Sequence, residues 1–304
     1  MRMRDFLPLL KESAFAWIDD NAMRLSASVA FYAAFSLAPL LLIAVSIADL
    51  AFSEQAVREQ VGFQLEALAG PRAAVALEAL LATTSTHKRT GTFAAIAGLI
   101  VLLFGASGVF VELKDALNVI WGVVIKPGRT LIQLVRDRLL TFSMIFSIGF
   151  LLLVSLLLSA VLAVLGKYLN WLLSLPSFLW HAIDFLGSLC VITVLFAVIF
   201  KVLPNVRIRW RDVWIGAAVT SLLFVLGKFL IGFYLGASSI ASTYGAAASV
   251  IIVLLWVYYS ACILFFGAEF TKVYARKFGP GIVPDKRAML WGEAMRARLV
   301  SEAR

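Results

Sequence analysis

Apolar residues in this chain run in long blocks, without the alternation that marks a surface strand or a surface helix. A helix needs about 20 predominantly apolar residues to cross a bilayer core. Six stretches reach that length: residues 25–50, about 92–113, 139–165, about 183–203, 213–235 and 245–269. The pattern predicts an all-α polytopic membrane protein with six transmembrane helices. Residues 25–270 form the membrane domain, with an outer helical loop at 51–91 broken at Gly70-Pro71. Val57, Val61, Leu65 and Leu68 share one face of that loop. The links 114–138 and 204–212 carry turn residues and charge, the link 166–182 holds Pro176 and little charge, the link 236–244 holds no charge, and residues 271–304 read as a short basic cytoplasmic tail.

The start of the chain behaves differently. Phe6, Leu10, Trp17 and Ile18 fall roughly on one helical face, while Asp5, Lys11, Glu12, Asp19 and Asp20 interrupt any clean apolar segment. A cleavable signal peptide is therefore not expected. Residues 1–24 read as an amphipathic helix lying at the membrane interface.

Charge sets the orientation. Of 27 Lys and Arg residues, 21 fall in 1–24, 114–138, 201–212 and 271–304, which share one side if the six helices alternate. Only five fall in the links on the other side, and Lys228 lies within a helix. Basic loops stay in the cytoplasm, so both termini are expected there. Composition agrees: 62% of the 304 residues are hydrophobic and 15% are charged, against roughly a quarter charged in soluble domains. The net charge of +9 is then a topology signal, and nucleic acid is not expected as a partner. Two cysteines, Cys190 and Cys262, lie in apolar runs and are expected to be buried inert thiols. Two histidines are too few for a metal centre. No phosphate loop, metalloprotease helix or nucleophile elbow occurs, so no catalytic residue, cofactor or metal is expected.

Within the membrane domain Lys228 stands out, about 5 Å from the centre of the fifth helix by rise per residue. A charge at that depth costs about 2.5–3.5 kcal/mol on insertion scales. Either it faces a partner or a cavity, or its stem lifts the ammonium towards the headgroups. Gly232 and Gly236 form a small-xxx-small pair suited to close helix approach. Tyr234 and Tyr244 flank the hairpin between helices five and six, at the level where aromatic rings favour the interface. In helix one, Tyr32 and Ser36 share a face and Pro39 predicts a kink. These six residues, Lys228, Tyr32, Ser36, Pro39, Tyr234 and Tyr244, are the candidate substrate path; anchoring and ordinary helix contacts are the alternative for each. Glu112, Lys114 and Asp115, where helix two leaves the membrane, and Glu269 at the inner end of helix six are the candidate cytoplasmic gate, with local pairing as the alternative. Asn118 and Trp121 follow Glu112 in helical phase.

Several of these stretches carry a resemblance. Residues 27–42 read ASVAFYAAFSLAPLLL and residues 104–110 read FGASGVF. Leu117 to Trp121, Tyr244-Gly245-Ala246, Leu254 to Ser260 and Gly267-Ala268-Glu269 follow in order. Together they resemble the YihY/BrkB family of bacterial inner-membrane proteins, over roughly residues 15–280. Ala247-Ala248-Ser249 departs from the more glycine-containing pattern that family shows. The resemblance implies six helices, cytoplasmic termini and an inner-membrane location. It brings a historical ribonuclease label for which this sequence offers no chemistry, an association with virulence and envelope lipids, and no catalytic site.

Two functions are expected from these readings. One is a transporter or translocator of a lipid or other envelope component, with anionic lipid as a candidate cargo for a buried cation. The other is a non-catalytic scaffold or envelope-assembly partner, meeting its partner through loop 51–91. The lipid bilayer is the expected surrounding in both, and a homo-oligomer is compatible with either.

Overall fold

A computed structural model describes residues 6–34, 75, 108–126, 177–237 and 248–302. Transmembrane stretches one to three, loop 51–91, Ser36, Pro39 and Tyr244 lie wholly or largely outside the described residues.

The chain begins with helix α1 (Phe6–Asp19). It stops at Asn21, whose φ of 52° is left-handed, a conformation asparagine tolerates better than most residues. The amides of Arg24 and Leu25 bond back to the Asn21 carbonyl, so a second helix, α2 (22–34), starts at once. Helix α3 (108–120) ends at Gly122. Gly122 has φ 65° and donates its amide to Val119 O at 2.9 Å, the left-handed helix stop that glycine permits. Three long helices complete the helical framework: α4 (Ser177–Val202), α5 (Trp210–Ala237) and α6 (Ala248–Phe278).

Among the described residues, these three hold the spans long and apolar enough to cross a membrane: Phe185–Val202, Trp210–Tyr234 and Val250–Phe278. They match the fourth, fifth and sixth stretches read from the sequence. Only 17% of the first and 33% of each of the others is buried inside the protein. Apolar surface left uncovered on that scale needs lipid as its solvent. Cys190 is exposed on α4 and Cys262 is half-buried, both free thiols, so the expectation of two buried thiols fails for Cys190.

Strands appear that an all-α reading did not foresee. Strand β1 (Val123–Ile125) pairs antiparallel with β4 (Ala288–Leu290), in the register Val123↔Leu290, Val124↔Met289 and Ile125↔Ala288. Strand β2 (Val206–Arg207) pairs with β3 (Val283–Pro284). Main-chain bonds extend both ribbons, from Lys126 N to Arg287 O, Trp291 N to Gly122 O and Asp285 N to Asn205 O. Residues 279–290 are therefore folded back onto the links 114–138 and 204–212, and a final helix, α7 (Trp291–Glu302), follows. Two- and three-residue strands are too short for alternation to register in sequence.

The chain groups into two compact units: residues 1–13, 118–222 and 267–304, and residues 14–117 and 223–266. The first has a core of Leu9, Phe270, Val273 and Tyr274, flanked by Leu10, Ile215 and Val219. Phe6 lies 6.0 Å from Phe270, ring to ring. The contact face of α1 is thus Phe6, Leu9, Leu10 and Ser13, while Phe15 and Ile18 stay exposed. Phe6 and Leu10 of the expected interfacial face meet this core, and Ile18 of the same face is exposed.

Candidate functional site

In the unit that includes 14–117 and 223–266, α2 runs antiparallel to α3. A Cβ at Gly108 would lie 3.1 Å from Tyr32 Cδ1, and one turn away the Ser28 hydroxyl donates to Glu112. Tyr32 stands edge-on to Phe31 at 5.9 Å and is partly exposed. Glu112, predicted as a gate residue, is half-buried and held by Ser28. Lys114 is half-buried on the same helix and Asp115 is exposed.

Lys228 is half-buried on α5, its ammonium 5.8 Å from the Phe229 ring centroid. Its neighbour Gly227 is a point of close approach to α6. A Cβ there would come 2.5 Å from Ile263 Cδ1, 2.8 Å from Tyr259 Cε1 and 3.1 Å from the Tyr259 hydroxyl. The helices meet on the bare backbone at Gly227, which seats a phenol on the residue preceding the lysine. Among the described residues, none lies within 4 Å of a Cβ placed at Gly232. Tyr234 is exposed at the end of the apolar span.

The other unit holds Glu269, fully buried. Lys272 lies one turn on, its Nζ 2.7 Å from Glu269 Oε2. The same ammonium donates to Ile120 O at 2.7 Å. Ile120 closes α3, where the helix dipole presents negative charge and favours a cation. On the same turn Asn118 Oδ1 accepts the Asn205 amide at 2.9 Å, and Trp121 is fully buried. Lys272 thus clamps α6 to the end of α3 through its bond to Ile120 O, with its buried charge balanced by Glu269 of its own helix.

Next to this clamp the two long helices interlock reciprocally. Thr271 of α6 fills the space a Cβ would take at Gly216 of α5, and Thr220 of α5 fills the space at Gly267 of α6. Each threonine hydroxyl bonds back to the glycine carbonyl four residues earlier in its own helix, Thr220 to Gly216 O and Thr271 to Gly267 O, both at 2.7 Å. The hydroxyls are thereby satisfied without water, as a buried polar group requires.

At the ribbon of β2 and β3, Arg207 donates Nε and Nη2 to Asp285 Oδ1 at 3.2 and 3.1 Å. The Lys286 amide, with Arg207 beside it, holds the Asp285 carboxyl below its ordinary range.

Sequence reasoning named Glu269 but assigned Lys272 to the tail. It passed over Thr220 and Thr271, although the Gly-x-x-x-Thr spacing occurs in both helices, and over Tyr259. Among the described residues no three His, Cys, Asp or Glu side chains come together around a metal position.

A sequence model of the family described as "Virulence factor BrkB" matches residues 16–290. Among curated proteins, a UPF0761 membrane protein of Pseudomonas aeruginosa is 29% identical over 260 residues, covering 84% of this chain and 60% of its own length. One from Chromobacterium violaceum is 29% identical over 255 residues, 83% of this chain and 58% of its own length. One from Yersinia pestis reaches 44% identity over 79 residues, 26% of this chain and 27% of its own length. The chain thus spans about three fifths of the Pseudomonas and Chromobacterium relatives. No solved structure matches it.

Proposed function

This chain belongs to the BrkB family of membrane proteins, and on that premise we propose that it moves an anionic lipid or another anionic envelope component across a bacterial inner membrane. The observation that carries the reading is Lys228. It is a cation within the span Trp210–Tyr234, placed directly after Gly227, where the Tyr259 and Ile263 side chains of α6 lie against the α5 backbone. A cation held at membrane depth is costly unless it serves a polar path, and a phosphate or carboxylate is its natural ligand. Tyr32, Ser36, Pro39, Tyr234 and Tyr244 complete the path in this reading.

The proposed orientation has both termini in the cytoplasm. Basic residues support it: 21 of the 27 Lys and Arg residues fall in 1–24, 114–138, 201–212 and 271–304. In this scheme Glu269 acts with Lys272 as a latch that must release Ile120 before α3 and α6 can separate.

The test is reconstitution in liposomes carrying fluorescent anionic phospholipid in both leaflets, followed by a membrane-impermeant quencher. Quenching should pass half the signal with the wild-type chain and stop at half in protein-free vesicles. A wild-type signal that also stops at half would sink lipid movement and favour the scaffold reading.

A further inference from the structure

The start of α5 carries a surface that the transport path does not use. Trp210, Trp214, Ala218, Leu222 and Leu226 follow one another at intervals of four, and every one is exposed. Phe229 and Phe233 carry the exposed row on towards the other end of the span. From Trp214 to Leu226 the helix rises about 18 Å, close to one leaflet's share of a hydrocarbon core about 30 Å thick. The row is apolar along its length and changes character only at its head.

At that head the charges gather. Arg209 and Arg211 flank Trp210 and are exposed. Neither has an ion-pair partner among the described residues. Lys201, from the end of α4, sets its ammonium 5.4 Å from the Trp210 ring centroid and donates to Ile208 O. One cation thus lies against the Trp210 ring, two more flank that residue in sequence, and Trp214 stands one turn further along the same helix. Indole rings seat at the headgroup level, and basic groups beside them attract anionic lipid.

We infer that Arg209, Arg211, Lys201, Trp210 and Trp214 form a binding site for one anionic phospholipid, its phosphate among the arginines and an acyl chain along Ala218, Leu222 and Leu226. Charge complementarity at the headgroup level and the match between the exposed row and one leaflet select this occupant, since one molecule of anionic lipid supplies both the negative group and the apolar chain. The site depends only on the chain lying in a membrane. It stands whether or not Lys228 moves a substrate.

Native mass spectrometry of the full chain in detergent, titrated separately with phosphatidylglycerol and phosphatidylcholine, tests it. The wild-type chain should hold phosphatidylglycerol more tightly. Removing arginines in R209A/R211A should weaken that lipid about fivefold for each charge lost and leave phosphatidylcholine unchanged. The charge-matched variant K286A/R296A should bind as wild type does. Trp214→Ser, which keeps every charge, should weaken both lipids alike. Equal affinity of the wild-type chain for the two lipids, an equal loss in K286A/R296A, or indifference of both lipids to Trp214→Ser would each overturn the site.

Discussion

Helices α5 and α6 meet on glycine at two levels, and the two meetings are built differently. At Gly216 and Gly267 the contact is reciprocal: each helix offers a glycine and each fills the other's with a threonine. The neighbouring Glu269 and Lys272 are buried, and the lysine is tied to Ile120. At Gly227 the contact is one-sided. Only α5 offers a glycine, it is met by the far ends of Tyr259 and Ile263, and half-buried Lys228 and exposed Phe229 stand next to it. Two glycines filled by short, rigid side chains resist separation. One glycine covered by long, rotatable side chains can open and close at little cost, because the side chains that cover it can change rotamer. The first contact suits a fixed joint, and the second suits a place where polar cargo could pass.

That comparison can be broken at the fixed joint first. Lys272→Met leaves the Glu269 carboxylate buried opposite no ammonium, a change that costs about 3–5 kcal/mol for a buried pair. Thermal unfolding in detergent should show a large fall in midpoint, and the double change E269Q/K272M should recover most of it. A midpoint unmoved by Lys272→Met would mean that the pair holds nothing together.

A smaller loss is expected at the interlock. Gly216→Ala drives a methyl group into the Thr271 hydroxyl and should cost about 1–3 kcal/mol, as overfilled cores do. Adding Thr271→Ala should restore part of that stability, since the two residues are in contact and their effects should not add. Additive losses in the double variant would show that the two side chains do not meet.

The smallest effect concerns the ribbon of β2 and β3. Asp285 titrates below the ordinary carboxylate range, so its contribution is complete above about pH 4. It is lost as pH falls through the depressed folded value. The pair with Arg207 is largely exposed, so its contribution is small. Amide exchange at Asp285 and Val283 should quicken only in that acidic window, and Asp285→Asn should remove the acid-dependent step.

What the sequence made legible follows from length scales. The stretches 183–203, 213–235 and 245–269 match spans in the structure because a bilayer crossing leaves 20 apolar residues in a row. The sixth helix nevertheless continues to Phe278. Lys272 looks like the start of a polar tail, and only Glu269 and the end of α3 make its burial affordable. Spacing alone does not separate three equally small glycines: Gly232 sits in the better-known spacing yet meets no described residue, whereas Gly216 and Gly267 are each met by a threonine from the other helix. Residue type marks where helices can approach; which partner arrives is decided by the tertiary arrangement. Strands β1 to β4 were illegible for the same reason, since their partners lie far along the chain.

The proposed division between a joint that holds and a crossing that passes cargo is tested most directly by Lys228→Ala, with lipid translocation in liposomes and thermal midpoint measured on the same preparation. The account predicts a midpoint within a few degrees of wild type and translocation cut at least about tenfold, the factor that about 1.4 kcal/mol represents. Translocation at the wild-type rate with Lys228→Ala would contradict it, and would take the lysine out of the path.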